Sequence, residues 1–215
     1  MPSYMLQRDQ GRCVMARRSD AKQKMVQAAR QLIRERGYNA TAFSDVLELS
    51  GAPRGSVYFH FPGGKTQLAM EAAEAHAHEQ VAIIDRAADQ ANSAAQLVEL
   101  YVDLGREGMV DSNYGRGCGV APLVTEGAAA ESADVGETTR RAFSEMTDRL
   151  AFHFAAFGVD RTAARELAHA VIAGVQGAMV TSRALHSPAP YDAVRAVLVS
   201  RAVSVSPKTS SRKGT

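Results

Sequence analysis

The chain has 215 residues, 46% hydrophobic and 22% charged, which suits one large globular domain or two modest ones. Its two cysteines, Cys13 and Cys118, exclude a disulfide framework or a Cys-rich metal site, no apolar run approaches the ~20 residues that span a bilayer, and Met1 to Arg18 lacks the apolar core of a secretory leader, so a soluble cytoplasmic protein is expected. The formal charge of +2 is unevenly split: up to Lys65 there are 11 Lys and Arg against 5 Asp and Glu, and beyond it 14 against 18, which directs an anionic partner to the first third.

Residues 1–19 show no usable periodicity and carry Arg8, Arg12, Arg17 and Arg18, so they read as a flexible basic arm, either lying along DNA or serving as a plain leader. From Ser19 or Asp20, Met25, Val26, Ala29, Leu32 and Ile33 mark one face of an amphipathic helix that Gly37 stops. A second helix, capped by Ser44, carries Val46, Leu47 and Leu49 and ends at Gly51. Pro53 suits the first turn of a third, in which Val57 and Phe61 face inward while Arg54, Ser56, Tyr58 and His60 are left outward. Pro62-Gly63-Gly64 ends it, and an Ala-rich helix runs from Lys65 to about Gln90.

Further helices follow. Asn92 or Ser93 caps one with the stripe Leu97, Leu100, Tyr101 and Leu104; a turn-rich loop spans Asp111 to Gly117; Phe143, Met146, Leu150, Phe154 and Phe157 share a narrow face in another. Asp160 to His186 is apolar over a width that needs burial on two sides, one against its own core and one against a second subunit. A last helix carries Tyr191, Val194, Val197 and Leu198, and residues 204–215 read as a disordered basic tail. No strand alternation competes, so the fold class is all-α.

Two short helices across a tight turn, stacked on a preceding helix, can offer the last helix to the major groove of DNA. Arg54 suits a guanine edge or a phosphate; Ser56, Tyr58 and His60 offer donors to phosphate oxygens; Gly55 admits close backbone approach. Lys65 adds a cation at a helix start, and Thr41 and Ser44 can grip the other side of the groove. From Gly37 to Lys65 the order G-Y-x-A-T, D-V, then G-A-P-R-G-S-V-Y-F-H-F-P-G-G-K resembles the DNA-binding domain of the tetracycline-repressor (TetR) family of bacterial transcriptional regulators. The run G-C-G-V-A-P at Gly117 to Pro122 and the later T-S-R-A-L-H-S are similar to its LmrA/YxaF-like subgroup.

The resemblance implies a homodimer binding a double-stranded DNA operator, with a small-molecule effector in the C-terminal helical domain and dimerisation through the last two long helices. On this basis the domains are 20–66 for the helix-turn-helix and 67–203 for the effector and dimer domain. The DNA contacts become Thr41, Ser44, Arg54, Gly55, Ser56, Tyr58, His60 and Lys65; the family often has Ser or Thr where Pro53 stands here, so a side-chain cap is lost. The effector pocket falls to Tyr101, Met109, Phe143, Met146, Phe152 and Met179, a set that by composition suits an apolar or aromatic ligand; the alternative reading of the same stripe is plain core. Val171, Gly174, Val175, Ala178, Val194, Val197 and Leu198 form the dimer contact.

Competing chemistry finds little support. Gly63 to Thr66 ends like a nucleotide-phosphate loop, yet that motif needs a glycine at position 59, where Phe59 stands, and a preceding strand. Glu71, Glu74 and His78 share a helix face that reads as solvated rather than metal-binding, and Cys118 reads as a structural thiol rather than a redox sensor. No catalytic set, cofactor or metal site is expected. The alternative is an architectural DNA-binding protein that answers to no effector.

Overall fold

The computed structural model describes residues 5–207, with side chains from residue 20 onward. The described residues form ten helices, α1 (Met5–Arg36), α2 (Phe43–Ser50), α3 (Ser56–His60), α4 (Gly64–Gln90), α5 (Ala94–Asp111), α6 (Ala121–Thr125), α7 (Ala128–Glu131), α8 (Ala133–Ala156), α9 (Arg161–Leu185) and α10 (Ala189–Val205), and no strand. The fold is all-α. It divides into two compact units, Met1–His76 with Gly119–Thr139, and Ala77–Cys118 with Arg140–Thr215. The first unit thus extends beyond residue 66 and takes in α6 and α7, whose buried Leu123 and Ala128, with Val120 just ahead of α6, no periodic pattern announced.

In the first unit, α1 begins at Met5 and not at Asp20. Residues 5–19 hold no proline and are rich in Arg, Met and Gln, which favour helix, so the backbone is helical ahead of the apolar stripe. The stripe itself behaves as its spacing requires: Met25, Ala29, Leu32 and Ile33 are buried. Gly37 ends α1 with φ of +91° and an N–H donated to the Ile33 carbonyl at 3.0 Å. Helix α2 starts one residue earlier than Ser44; Ala42 holds the cap position with no side-chain bond, and the exposed Ser44 hydroxyl donates to Asp45 Oδ1 at 3.3 Å. Gly51 closes α2 in the left-handed region at φ +66°. Pro53 opens a turn ahead of α3, whose first N–H, from Ser56, donates to the Pro53 carbonyl at 2.9 Å. Val57 and Phe61 then point inward and are buried with Val46, Leu68 and Ala72.

The second unit packs α5, α9 and α10 together. Its core includes Leu97, Val98, Leu150, Phe154, Leu167, Val171 and Tyr191, each burial removing apolar area worth about 1.5–3 kcal/mol for a large side chain. Ser93 caps α5 by accepting the Gln96 N–H, and Asp160 caps α9 by accepting the N–H groups of Thr162 and Ala163. Helix α10 crosses α9 at Gly174, where a Cβ would lie 3.0 Å from Val194 Cγ1 and 3.2 Å from Leu198 Cδ1. The expected dimer contact is therefore largely internal. Val171, Val175, Ala178 and Leu198 are buried within the single chain, Gly174 lies under Val194 and Leu198, and only Val197, 68% exposed, is open to a partner. Residues from 208 on, and with them most of the expected tail, lie outside the described residues.

Candidate nucleic-acid interface

Helix α3 has only five residues, and the inward anchors Val57 and Phe61 orient everything else on it. Tyr58 is 81% and Phe59 65% exposed, and Arg54 and Gly55 are exposed in the turn just before the helix. Space beside Gly55 is open: a Cβ there would meet nothing within 4 Å. His60 is half-buried, its ring edge-on to Phe59 at 5.0 Å. Leu49, at the end of α2, is 47% exposed. The outward surface thus combines one guanidinium, a phenol, an imidazole and two apolar side chains. That mixture suits phosphate and base-edge contact together with thymine methyl groups. Phe59 and Leu49 are absent from the sequence-derived set, although Phe59 lies about 200° around the helix from Val57 and could have been placed by that spacing alone.

Three expected contacts give their donors to carbonyls within the chain. Thr41 is buried and its Oγ1 donates to the Gly37 carbonyl at 2.7 Å, so it holds the α1–α2 connector. Ser56 Oγ donates to the Pro53 carbonyl at 2.6 Å, closing the turn before α3. Lys65 Nζ donates to the Asn39 carbonyl at 3.0 Å and lies 4.5 Å from the centre of the Tyr38 ring. Burial lowers the Lys65 pKa and the Glu126 carboxylate opposes that shift. Arg36 bridges α1 to α2 through Asp45 at 3.3 Å, and Lys22 bridges α1 to α4 through Glu71 at 2.8 Å. With its carboxylate on Lys22, Glu71 is a strut between helices.

Residues 25–72 match the family model "Bacterial regulatory proteins, tetR family", and residues 94–197 match "Transcriptional regulator LmrA/YxaF-like, C-terminal domain". An uncharacterized HTH-type transcriptional regulator of Mycobacterium tuberculosis is 36% identical over 177 residues, covering 80% of this chain and 89% of its own. The chain belongs to the TetR family of DNA-binding transcriptional regulators. The HTH-type regulator LmrA of Bacillus subtilis is 49% identical to this TetR-family chain over 53 residues, 25% of the one and 28% of the other. A TetR regulatory protein of Rhodobacter sphaeroides has the same fold, with a TM-score of 0.74 at 23% identity over 84% of this chain and 98% of that one.

In this TetR-family regulator five of the six residues expected to line an effector pocket gather in or against one core cluster. Tyr101, Met109 and Met146 are buried in the core of the second unit, while Phe143 and Met179 pack at its margin. Tyr101 keeps one polar contact, donating to Gln80 Oε1 at 3.4 Å; burial, then the neighbouring Cys118 and Tyr191, raises its pKa. Phe152 does not join them. It is 59% exposed, because it stands opposite the buried stripe of α8, and it covers the Arg149 guanidinium at 5.2 Å. Arg149 in turn holds Asp85 through paired bonds, Nη2 to Oδ2 at 2.9 Å, and His153 Nε2 meets Asp85 Oδ1 at 2.8 Å. The Arg149 bond, ahead of His153, keeps the Asp85 pKa low despite some burial. Cys118 is a buried free thiol. Among the described residues no helix is long and apolar enough to cross a membrane, and no His, Cys, Asp and Glu group is placed to hold a metal ion.

Proposed function

We propose that the regulator is a homodimeric repressor that reads a pseudo-palindromic operator with α3 and leaves it when a small apolar or aromatic effector binds the second unit. The observation that carries the DNA half is the outward face of α3 and its leading turn, where Arg54, Tyr58 and Phe59 are exposed over the buried anchors Val57 and Phe61. Arg54 and Tyr58 make the DNA contacts, with His60, Gly55 and Ser44 beside them. Arg54 forms no hydrogen bond or ion pair among the described residues, which leaves its five donors for guanine or phosphate.

The dimer half rests on a different face from the one inferred from periodicity. On α9, Ala170, Ala173, Gly177, Val180, Thr181 and Ala184 are largely exposed and fall on one side; on α10, Ala193, Ala196, Val197, Ser200 and Val203 do likewise. Thr181 spends its hydroxyl on the Gly177 carbonyl at 2.8 Å, so it presents a methyl group. Two adjacent faces of small apolar residues pack as a self-complementary surface about a two-fold axis. The effector reading rests on the buried Tyr101, Met109 and Met146 with marginal Phe143 and Met179, and a ligand there must favour the state that cannot bind DNA.

The test is titration of the full chain against operator duplex. Arg54→Ala should weaken specific binding by about 1–3 kcal/mol. Operator affinity equal to that of the native chain would move recognition away from α3.

A further inference from the structure

The connector between α1 and α2 is held by two opposite charges acting on a single residue. Glu126, which closes α6, accepts the Asn39 N–H on Oε2 at 2.7 Å. Lys65, at the start of α4, donates to the Asn39 carbonyl at 3.0 Å. The Asn39 side chain returns the contact, Nδ2 donating to the Glu126 carbonyl at 3.4 Å. The backbone donor and acceptor of one connector residue are thus each satisfied by an ionised side chain, a strong form of hydrogen bond. Glu126 lies 87 positions beyond Asn39, in α6 and α7's short stretch of the first unit, and Lys65 lies 26 positions beyond it.

Space at the connector is fitted to this carboxylate. A Cβ on Gly37 would stand 2.2 Å from Glu126 Oε1, so the carboxylate fills the volume that any other residue at 37 would need. Thr41 and Tyr38 tie the same connector down, through the Gly37 carbonyl at 2.7 Å and the Thr66 hydroxyl at 3.5 Å. Helix α2 starts at Phe43, four residues past Asn39, and α3 follows directly. Wherever the connector stands, the helix-turn-helix begins there.

We infer that Glu126 is a positioning residue for operator binding: it clamps the Asn39 peptide unit against Lys65 and thereby fixes the connector that sets α2 and α3. It touches no DNA and acts through Asn39. Lys65 is the other jaw of the clamp. The inference rests on DNA recognition by α3 and is separable from it in the test.

Full-length Glu126→Ala and Glu126→Gln are titrated against selected operator and against a scrambled duplex of the same length, with thermal unfolding measured in parallel. Glutamine keeps an acceptor for the Asn39 N–H; alanine keeps none. The expected result is a loss of specific affinity of about tenfold for Glu126→Ala, most of it restored in Glu126→Gln, with binding to scrambled duplex undiminished. If Glu126→Ala does not fold, Glu126→Asp, which withdraws the carboxylate by about 1.5 Å, takes its place and should lose specific affinity several-fold. Native operator affinity in the folded variant, even with a lowered melting temperature, would overturn the inference, because the contact would then be structural only. So would an equal loss on both duplexes. Arg54→Ala serves as the control: if it binds operator normally, recognition by α3 has failed, whereas normal Arg54 dependence with a silent Glu126 sinks the clamp alone.

Discussion

Gly37 carries two constraints at once, a left-handed backbone at φ +91° and a carboxylate lying where a side chain would go. Gly37→Ala should therefore cost about 1–3 kcal/mol of unfolding free energy, measured by chemical denaturation, and the glycine's removal should be felt in operator binding too. His76 sets a second expectation. It is buried against Gly119, and burial, reinforced by the charges of Arg34 and Arg30, pushes its pKa down to about 3. An unfolded histidine titrates near about 6.5, so between these values the unfolded chain takes up a proton that the folded chain refuses. The His76 contribution is thus complete above about pH 6.5 and is lost as pH falls towards 3, by up to about 1.4 kcal/mol per unit. Comparing native and His76→Gln chains by denaturation at pH 7.5 and 5.5 checks it: the native chain should lose more stability than the variant. At this scale, apolar spacing made the outward placement of Arg54 and Tyr58 legible, since Val57 and Phe61 fix which way α3 faces. The internal hydrogen bonds of Thr41, Ser56 and Lys65 were not legible. Each gives its donor to a carbonyl, of Gly37, Pro53 or Asn39, that only the folded turn brings within reach.

Helices α9 and α10 show the same division one level up. Their existence and the caps of α9, Asp160 and the His186 turn, follow from local chemistry. Periodicity also identifies α9 as two-sided. Which side meets the core does not follow, because Val171, Val175 and Ala178 are as apolar as Ala173, Val180 and Ala184, and the choice is made by α10 closing on Gly174. The consequence is a pair of opposed expectations. Val180→Asp, at a position 69% exposed, should leave the fold intact and convert dimers to monomers in sedimentation. Val175→Asp, at a position 6% exposed, should instead unfold the chain by placing a charge in the core. Helix α1 is the other miss. Its apolar stripe starts at Met25, while its backbone is helical from Met5 on residue propensity without a stripe.

For the whole molecule, the all-α class, the basic first third and the G-A-P-R-G-S-V-Y-F-H-F-P-G-G-K run were enough to place the chain among TetR-family regulators. The division into units was less accessible. Residues 119–139 belong with the helix-turn-helix although the chain on either side of them belongs to the second unit, and short helices of Ala, Gly and Val carry no mark of which core they enter. If α9 and α10 pair about a two-fold axis as proposed, with one α3 per chain, the operator itself is the best witness. Enrichment of a random double-stranded DNA pool by the full chain, followed by titration of the selected duplex, tests this directly. The selected sequence should be an inverted repeat bound by two chains, with affinity at least about 1,000-fold above scrambled duplex and falling steeply with salt. An unenriched pool, or a single asymmetric site bound by one chain, would contradict a dimeric operator-reading repressor.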